Sequence, residues 1–298
     1  MSRANRENMV FHNQEDMIQV KGKTVVYVGG TDGMGRVALE DFAKFGAKIF
    51  LLGRTPEKTN RVIKEVQAST KNDQITHVVC DLSSLESVRS AAQFIMSKCN
   101  HIDYLINCAG SNIFEHIVTD EGYELSWVTN HLGPFLLTNL LLDRLKESPK
   151  ARIVNLSSAM QGLGRIDFEA ILNNKPTSHA NRYGQAKLAM IMCTQVLSEE
   201  LKGTNVTINA LNPGFINTNL MRRAKGLMMI PVIWSRLFAS EPRVGAERIL
   251  ALATSSAYSG VSGKFVYENY IREPNKQAAD EELVKRVYKV SREQVGIA

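Results

Sequence analysis

Residues 24–35 read Thr-Val-Val-Tyr-Val-Gly-Gly-Thr-Asp-Gly-Met-Gly, and this stretch decides the fold. Its first five residues are β-branched or aromatic and predict a buried strand. Apolar residues then recur at helical spacing over Val37–Phe45, so the glycines stand at a strand-to-helix turn. Such glycines permit a tight bend and let the backbone approach a pyrophosphate at the positive end of the helix. The letters alone also fit a plain glycine-rich turn, but this context predicts a dinucleotide site.

Strand-length and helix-length patterns alternate along the chain, which is typical of βαβ units. The predicted strands are Thr24–Val28, Ala47–Leu52, Thr76–Val79, Tyr104–Ile106, Arg152–Leu156, Val206–Leu211 and Lys264–Tyr267. The predicted helices are Val37–Phe45, Leu85–Met96, Phe135–Leu145, Tyr183–Leu201 and Asp280–Gln294. We expect a single α/β domain over residues 21–298, with a Rossmann-type, doubly wound parallel sheet of about seven strands and helices on both faces. A flexible polar arm, residues 1–20, precedes it.

Composition argues against several classes of protein. The 298 residues are 44% hydrophobic and 22% charged, which is ordinary globular usage, and a chain of this length buries a core without disulfides or metals. The cysteines form no CxxC pair and the N-terminus shows no apolar run of signal-peptide length, so we expect reduced thiols and a cytoplasmic protein. The longest apolar stretch, Leu227–Trp234, is far short of the ~18 residues that span a bilayer, so no transmembrane segment is expected.

The charge and histidine patterns bear on partners. The net charge is +6, but the lysines and arginines are scattered and form no block with aromatic residues, so no nucleic-acid partner is expected. The six histidines show no HxH or HExxH spacing, so no metal site is expected. The positive charge suits an anionic cofactor, and it also suits peripheral contact with a negatively charged membrane surface.

The end of the second strand indicates which dinucleotide binds. In NAD-selective sites an Asp or Glu about 20 residues beyond the glycines binds the ribose 2′-hydroxyl. Here Gly53 stands 18 residues after Gly35 and is followed by Arg54, so a 2′-phosphate would meet a guanidinium rather than a carboxylate. Arg36, at the start of the first helix, is placed to assist. The alternative for Arg54 is a solvated loop cation, and NADP(H) is the favoured cofactor.

Candidate catalytic residues lie in Tyr183-Gly184-Gln185-Ala186-Lys187, which puts a tyrosine and a lysine four apart on one helical face. A phenol has an ordinary pKa of ~10, and a nearby ammonium lowers it. The tyrosine can then give or take the proton of an alcohol as hydride moves. Upstream, the strand Arg152–Leu156 ends in Ser157 and Ser158, whose hydroxyls suit a substrate oxygen. An exposed helix pair and a hydrogen-bonded strand end are the alternatives.

With these motifs in order, the chain resembles the short-chain dehydrogenase/reductase family over nearly all of residues 22–270. The family's TGxxxGxG pattern matches residues 28–35, with Val28 in place of threonine. Its NNAG motif matches residues 107–110, with Cys108 in place of the second asparagine. The resemblance implies a catalytic set of Asn130, Ser158, Tyr183 and Lys187. Asn130 is expected to hold a water that connects Lys187 to solvent, and Ser158 rather than Ser157 is expected to polarise the carbonyl oxygen.

The same resemblance implies the cofactor contacts. An acidic residue against the adenine corresponds to Asp81, and a Pro-Gly turn followed by Thr218 is expected near the nicotinamide amide. The full set of expected cofactor-binding residues is Gly29, Gly33, Met34, Gly35, Arg36, Arg54, Asp81, Leu82, Asn107, Ala109, Gly110, Tyr183, Lys187, Pro213, Gly214, Ile216 and Thr218.

Within the family, the chain looks most like the retinol-dehydrogenase-like group, chiefly in the stretch Thr129–Thr138 and in the Arg54 loop. That likeness implies NADP(H) and apolar substrates such as retinoids, lipid aldehydes or steroids, and family members usually form dimers or tetramers. A substrate lid is expected at about residues 219–240. Its methionines and tryptophan fit an adaptable apolar pocket, simple packing on the core, or contact with a membrane surface.

Two other functions compete with an alcohol or carbonyl oxidoreductase of the EC 1.1.1 class. A sugar-nucleotide epimerase fits less well, because position 36 is Arg where a TGxxGxxG pattern needs Gly. A sensor or scaffold that binds NADP(H) without turnover has no chemical need for Asn130, Ser158, Tyr183 and Lys187 together.

Overall fold

The computed structural model describes residues 20–217 and 239–297, which are built around one eight-stranded sheet. The strands are β1 Thr24–Val28, β2 Lys48–Gly53, β3 Ile75–Val79, β4 Tyr104–Asn107, β5 Ala151–Leu156, β6 Val206–Asn212, β7 Phe265–Tyr267 and β8 Tyr270–Arg272. Their order is β3-β2-β1-β4-β5-β6-β7-β8. The first seven strands in the chain pair in parallel, and β8 pairs antiparallel with β7.

Helices cover both faces of the sheet. They are α1 Gly33–Lys44, α2 Pro56–Thr70, α3 Leu85–Lys98, α4 Gly133–Leu140, α5 Leu142–Lys146, α6 Phe168–Asn173, α7 His179–Glu200, α8 Pro242–Thr254 and α9 Glu281–Gln294. One apolar core lies beneath α3, α4, α7 and α9, and a second lies beneath α1, α2 and α8. The expected doubly wound architecture is confirmed.

The seven expected strands are present with ends that agree within one residue, because buried parallel strands leave short, dense apolar runs in the sequence. The helices α2 and α8 were not foreseen. The expected helix Phe135–Leu145 ends within one residue of α5 but differs elsewhere: it starts earlier, after a π-helical turn at Val128–Leu132, and it is interrupted at Leu141 between α4 and α5. The expected arm, residues 1–20, and lid, residues 219–240, lie almost wholly outside the described residues.

The strand order places a crevice at the carboxyl ends of β1 and β4. The connection after β1 turns towards β2 on one side, whereas the connection after β4 turns towards β5 on the other. Ligands of open parallel sheets bind at such a switch point, because the two loops diverge there and leave the strand ends accessible.

At the opposite end of the same two strands, the fully buried carboxylate of Asp103 joins several chain segments. It accepts hydrogen bonds from Lys23 Nζ at 3.0 Å, from the main-chain N–H of Thr24 at 2.8 Å and from Ser148 Oγ at 2.9 Å. A buried carboxylate needs such donors to offset its lost hydration. Asp103 therefore fixes the start of β1 against the start of β4.

Within residues 20–217 and 239–297, no helix combines the length and the apolar character needed to cross a membrane. The same residues contain no group of three or more His, Cys, Asp or Glu side chains arranged to hold a metal ion. All four cysteines are free thiols.

Asp103→Ala should lower the free energy of unfolding by about 3 kcal/mol, because buried donors of Thr24 and Ser148 lose their acceptor. Urea denaturation measures this loss. Glu169→Ala is the control, since that carboxylate pairs with Lys175 on the exposed surface and its removal should leave stability nearly unchanged. Equal stability of the two variants would contradict the anchoring role of Asp103.

Candidate active site

The glycine-rich turn after β1 packs directly on the residues that follow β4. Gly29 has a φ of 93°, and a Cβ at this position would lie 2.5 Å from Cα and N of Ala109. Only glycine fits such a backbone contact. Asp32 caps α1 by accepting a hydrogen bond from Gly33 N at 2.8 Å. The turn thus brings the N-terminus of α1 to the crevice, where its N–H groups suit a pyrophosphate.

Within the segment Asn107–Gly110, the first residue stabilises the sheet and the last two border the site. The Asn107 side chain is buried and donates to Thr138 Oγ1 at 3.0 Å and to Asn155 Oδ1 at 2.8 Å. It therefore ties β4 to β5 and α4, while its Oδ1 is buried and has no hydrogen-bond partner. Ala109 meets Gly29, and a Cβ on Gly110 would lie 3.4 Å from Lys187 Nζ. The last two residues of the motif thus border the crevice.

The crevice beside α1 has a volume of about 740 Å³. It is lined by Thr31, Asp32, Gly33, Arg36, Val37, Lys58, Arg61, Val62, Glu65, Asn217 and Pro242. Arg36 lies 3.7 Å from Glu40 and 3.4 Å from Glu65, and Lys58 lies 3.7 Å from Asp32. Sequence reasoning missed Lys58 and Arg61. The signal available for them was their i, i+3 spacing just after the Arg54 loop, which places both on one face of α2.

Asp81 follows β3, at the end of the sheet where the adenine contact is expected. Its Oδ1 accepts hydrogen bonds from Ser83 N at 3.0 Å and from Ser83 Oγ at 2.7 Å, and its own N–H donates to Ser87 Oγ at 2.9 Å. These bonds order the turn into α3. The neighbouring Leu82 is buried in the core, so its side chain supports the turn.

Ser158, Tyr183 and Lys187 lie together near Gly110, which follows the residue that packs on the glycine turn. The Ser158 hydroxyl lies beside the Tyr183 phenol and lowers the pKa of that phenol. Lys187, one helical turn further along α7, places Nζ 5.9 Å from the centroid of the tyrosine ring and donates to the carbonyl of Leu156 at 2.7 Å. Ser157 instead donates to the main-chain carbonyl of Lys187 at 3.1 Å. The two adjacent serines thus have different partners, and Ser158 is the one beside the phenol.

Burial controls the protonation of this cluster. It raises the pKa of Tyr183 to about 12, and the neighbouring Ser158 hydroxyl lowers that pKa only in part. It lowers the pKa of Lys187 to about 8. Desolvation favours the neutral form of each group, so the phenol holds its proton at neutral pH. Burial is the largest influence on the pKa of Tyr183. The expectation that Lys187 lowers this pKa stays a prediction.

Asn130 lies in the π-helical turn Val128–Leu132 and is fully buried. Its Oδ1 accepts from Ser111 N at 3.0 Å, and its Nδ2 donates to Ser111 O at 2.9 Å and to Ser126 O at 3.0 Å. The side chain therefore holds the Gly110–Ser111 segment next to Lys187. These bonds engage the amide nitrogen and one lone pair of Oδ1, and the water expected at Asn130 stays a prediction.

A buried ion pair between Glu124 and Arg182 joins the Asn130 segment to α7. The pair is 3.4 Å apart, with side chains 8% and 6% exposed. Glu124 also accepts from Trp127 N at 2.8 Å at the start of the helical segment that leads to Asn130. Arg182 precedes Tyr183 and donates to the carbonyl of Phe114 at 2.6 Å. Sequence reasoning missed this pair, because nothing in a local pattern marks two distant charges as buried partners.

The Pro213–Gly214 turn follows β6, where the nicotinamide contact is expected. Arg248 on α8 donates to Pro213 O at 2.6 Å and pairs with Glu268 at 3.3 Å. Ile216 forms a parallel bridge with Ser240. A Cβ on Gly245 would lie 3.0 Å or less from Met34 and 3.1 Å from Ile216, so these two side chains pack on α8. Thr218 lies outside the described residues.

Gly184 is a further residue that the site requires. A Cβ at this position would lie 2.6 Å from Met160 O and 2.9 Å from Gly164 N, which belong to the turn that follows Ser158. Glycine lets this turn pack on α7 beside Tyr183. The sequence showed Gly184 between Tyr183 and Lys187 but gave no reason for it, because the contact is made by backbone atoms far away in the chain.

A glycine turn at the switch point of a parallel sheet, together with a buried tyrosine and lysine and a half-buried serine, is the arrangement of a nicotinamide-dependent oxidoreductase. The glycine turn has no side chain where a dinucleotide backbone would lie, and the crevice beside it is lined by three cations, Arg36, Lys58 and Arg61, together with the carboxylates of Asp32 and Glu65. The residues present therefore fit such a cofactor.

Comparison with known proteins defines the family. Residues 23–226 match the family described as short chain dehydrogenase. Retinol dehydrogenase 13 of Mus musculus is 36% identical over 287 residues, covering 94% of this chain and 85% of that protein. Retinol dehydrogenase 11 of Homo sapiens is 35% identical over 280 residues, covering 94% and 88%. The chain belongs to the short-chain dehydrogenase/reductase family, is similar to its retinol dehydrogenases, and is an oxidoreductase that uses a nicotinamide cofactor.

Solved structures agree with this fold. An uncharacterized protein from Mycobacterium Paratuberculosis gives a TM-score of 0.75 at 27% identity, covering 93% of this chain and 94% of that one. L-Sorbose reductase from Gluconobacter frateurii, in complex with NADPH and L-sorbose, gives a TM-score of 0.66 at 21% identity, covering 83% and 95%.

Gly184→Ala should lower kcat by roughly tenfold or more, because the added Cβ displaces the Ser158 turn from Tyr183. Gly162→Ala is the matched control, since a Cβ there meets nothing within 4 Å, and it should keep kcat within about twofold. Steady-state kinetics on both variants tests this. A Gly184→Ala enzyme as active as the control would show that the close packing is unnecessary.

Proposed function

We propose that this protein is an NADP(H)-dependent oxidoreductase that reduces a carbonyl group on a small apolar molecule: a retinoid, a lipid aldehyde or a steroid. The observation that carries the proposal is the cluster of Tyr183, Lys187 and Ser158. Tyr183 is buried and keeps its proton at neutral pH, Ser158 lies beside its hydroxyl, and Lys187 lies next to Gly110. A phenol that keeps its proton is a donor, so the cluster favours reduction over oxidation at pH 7.

The residues divide the reaction as follows. Bound NADPH would supply the hydride that reaches the carbonyl carbon. Tyr183 donates its phenolic proton to the carbonyl oxygen, so one hydride and one proton convert the carbonyl to an alcohol. Ser158 donates a hydrogen bond to the same oxygen as negative charge develops on it, which stabilises the transition state. Lys187, next to Gly110, is placed to bind the nicotinamide ribose.

The preference for a 2′-phosphorylated cofactor is supported by space and by charge. A Cβ on Gly53 would lie 2.2 Å from Thr59 Oγ1, so this position has no room for the carboxylate that selects NAD. Arg36, Lys58 and Arg61 line the adjacent crevice. Arg54, which directly follows β2, is exposed to solvent. Guanidinium groups bind phosphate through several charge-assisted hydrogen bonds. The NADPH complex of L-sorbose reductase shows that this fold can accept the phosphate.

The substrate class is supported by the relatives. Retinol dehydrogenases 11, 12, 13 and 14 are 33–36% identical to this chain over most of its length. Their names point to an apolar polyene alcohol or its aldehyde. Self-association into a dimer or tetramer, a cytoplasmic location and peripheral contact with a membrane surface are part of the same proposal.

NADPH oxidation at 340 nm should report turnover with one or more members of a panel of retinal, medium-chain aldehydes, steroids and quinones. Tyr183→Phe should lower kcat by at least about a hundredfold, because the proton donor is lost, while fluorescence titration shows NADPH binding within about twofold of wild type. A Tyr183→Phe enzyme that keeps most of its activity would overturn the assigned role. NADPH binding without turnover by wild type would favour a sensor or scaffold.

Arg54→Ala and Arg61→Ala should each raise KM for NADPH by about tenfold and leave KM for NADH unchanged, since a charge-assisted hydrogen bond to the 2′-phosphate is lost. Lys64→Ala is the matched control, because it removes one positive charge from the exposed face of the same helix α2. Equal effects of Arg61→Ala and Lys64→Ala would indicate general charge attraction rather than a phosphate contact.

A further inference from the structure

The C-terminal helix α9 contacts the turn that carries Asn130. Ser291, on the buried face of α9, is fully enclosed, and its Oγ lies 2.7 Å from Nε2 of His131, the residue next to Asn130. Ser291 Oγ donates its own proton to the carbonyl of Val287 at 2.8 Å. Because the Val287 carbonyl can only accept, both contacts are satisfied together when Ser291 accepts from His131 and the imidazole carries its hydrogen on Nε2. Burial lowers the pKa of His131 to about 3, so this neutral form persists at all ordinary pH values.

A second contact holds the other side of the same turn. Trp127 Nε1 donates to Gln294 Oε1 at 2.9 Å, and Tyr123 OH donates to the main-chain carbonyl of Gln294 at 2.5 Å. The rings of Trp127 and His131 lie 4.5 Å apart. Asn130 therefore stands between two residues that α9 fixes through directed hydrogen bonds.

Asn130 links these contacts to the loop beside Lys187. Its amide makes two hydrogen bonds with the main chain of Ser111, one in each direction, at 3.0 and 2.9 Å. A Cβ on the preceding Gly110 would lie 3.3 Å from Asn130 Oδ1 and 3.4 Å from Lys187 Nζ. A rotation of the π-helical turn would thus move the loop that borders Lys187.

We propose that α9 is a positioning element of the catalytic centre: Ser291 and Gln294 fix the π-helical turn, and the turn in turn fixes Gly110 and Ser111 against Lys187. The effect of α9 on turnover rests on the proposed function, whereas its effect on the order of the 110–111 loop does not. Ser291 acts through His131 and Asn130 and touches neither substrate nor cofactor.

The test compares Ser291→Ala with Tyr288→Phe. Both variants remove one hydroxyl from the same helix, and the Tyr288 hydroxyl donates to Glu200 at 2.7 Å, away from the turn. Hydrogen–deuterium exchange of peptides covering residues 108–113 and 126–133 should rise by roughly tenfold in Ser291→Ala and stay at the wild-type rate in Tyr288→Phe. The Ser291→Ala enzyme should also lose roughly tenfold in kcat, with both KM values within about twofold of wild type. Ser291→Thr, which keeps the hydroxyl, should restore exchange and kcat.

Unchanged exchange at residues 108–113 in Ser291→Ala would overturn the inference, and so would an equal rise in Tyr288→Phe, because a general loss of stability would then explain both. A wild-type protein without turnover would defeat the proposed function, and the exchange data would still decide the positioning role.

Discussion

The backbone contact between Gly29 and Ala109 is the constraint on which the site depends. It joins the ends of β1 and β4, the two strands at which the sheet changes direction. On one side of the contact the chain enters α1 and offers its N-terminal N–H groups to a dinucleotide. On the other side it reaches Gly110 and the groups around Lys187. Only a residue without a side chain permits this approach. The contact therefore fixes the position of the cofactor crevice relative to the catalytic cluster.

Burial then gives the cluster its chemical character. The same desolvation raises the pKa of Tyr183 to about 12 and lowers that of Lys187 to about 8, so at pH 7 the phenol is neutral while the lysine is still mostly an ammonium, close to the pH range in which it titrates. The tyrosine is left as a proton donor. The lysine is left sensitive to any negative charge that comes near it, since an anion favours the ammonium form. The protein therefore supplies a site whose charge state responds to what binds in the crevice.

Local patterns accounted for the parts of the structure that local forces decide. The seven parallel strands follow from short apolar runs, and the juxtaposition of Tyr183 and Lys187 follows from their spacing on one helix. The helix α2 was not predicted, because most of its residues are polar and only one narrow face is buried. The side-chain roles of Asn107 and Asn130, and the pairing of Glu124 with Arg182, depend on partners that are distant in sequence. No periodicity in the sequence encodes such contacts. The resemblance to a family therefore identified candidate site residues, but it did not identify their hydrogen-bond and ion-pair partners.

The C-terminal quarter of the chain supports the site through contacts that its sequence does not predict. The family match ends at residue 226, yet α8 and the β7–β8 turn brace the Pro213–Gly214 segment through Arg248 and Glu268. Further along, α9 reaches back to the turn that carries Asn130. Both braces act on loops that follow the central strands, where a displacement of an ångström is costly to a reaction that needs aligned groups. Some of the residues that hold the site in shape are therefore distant in sequence from the reacting groups, and their substitution would alter turnover without changing any residue that performs the chemistry.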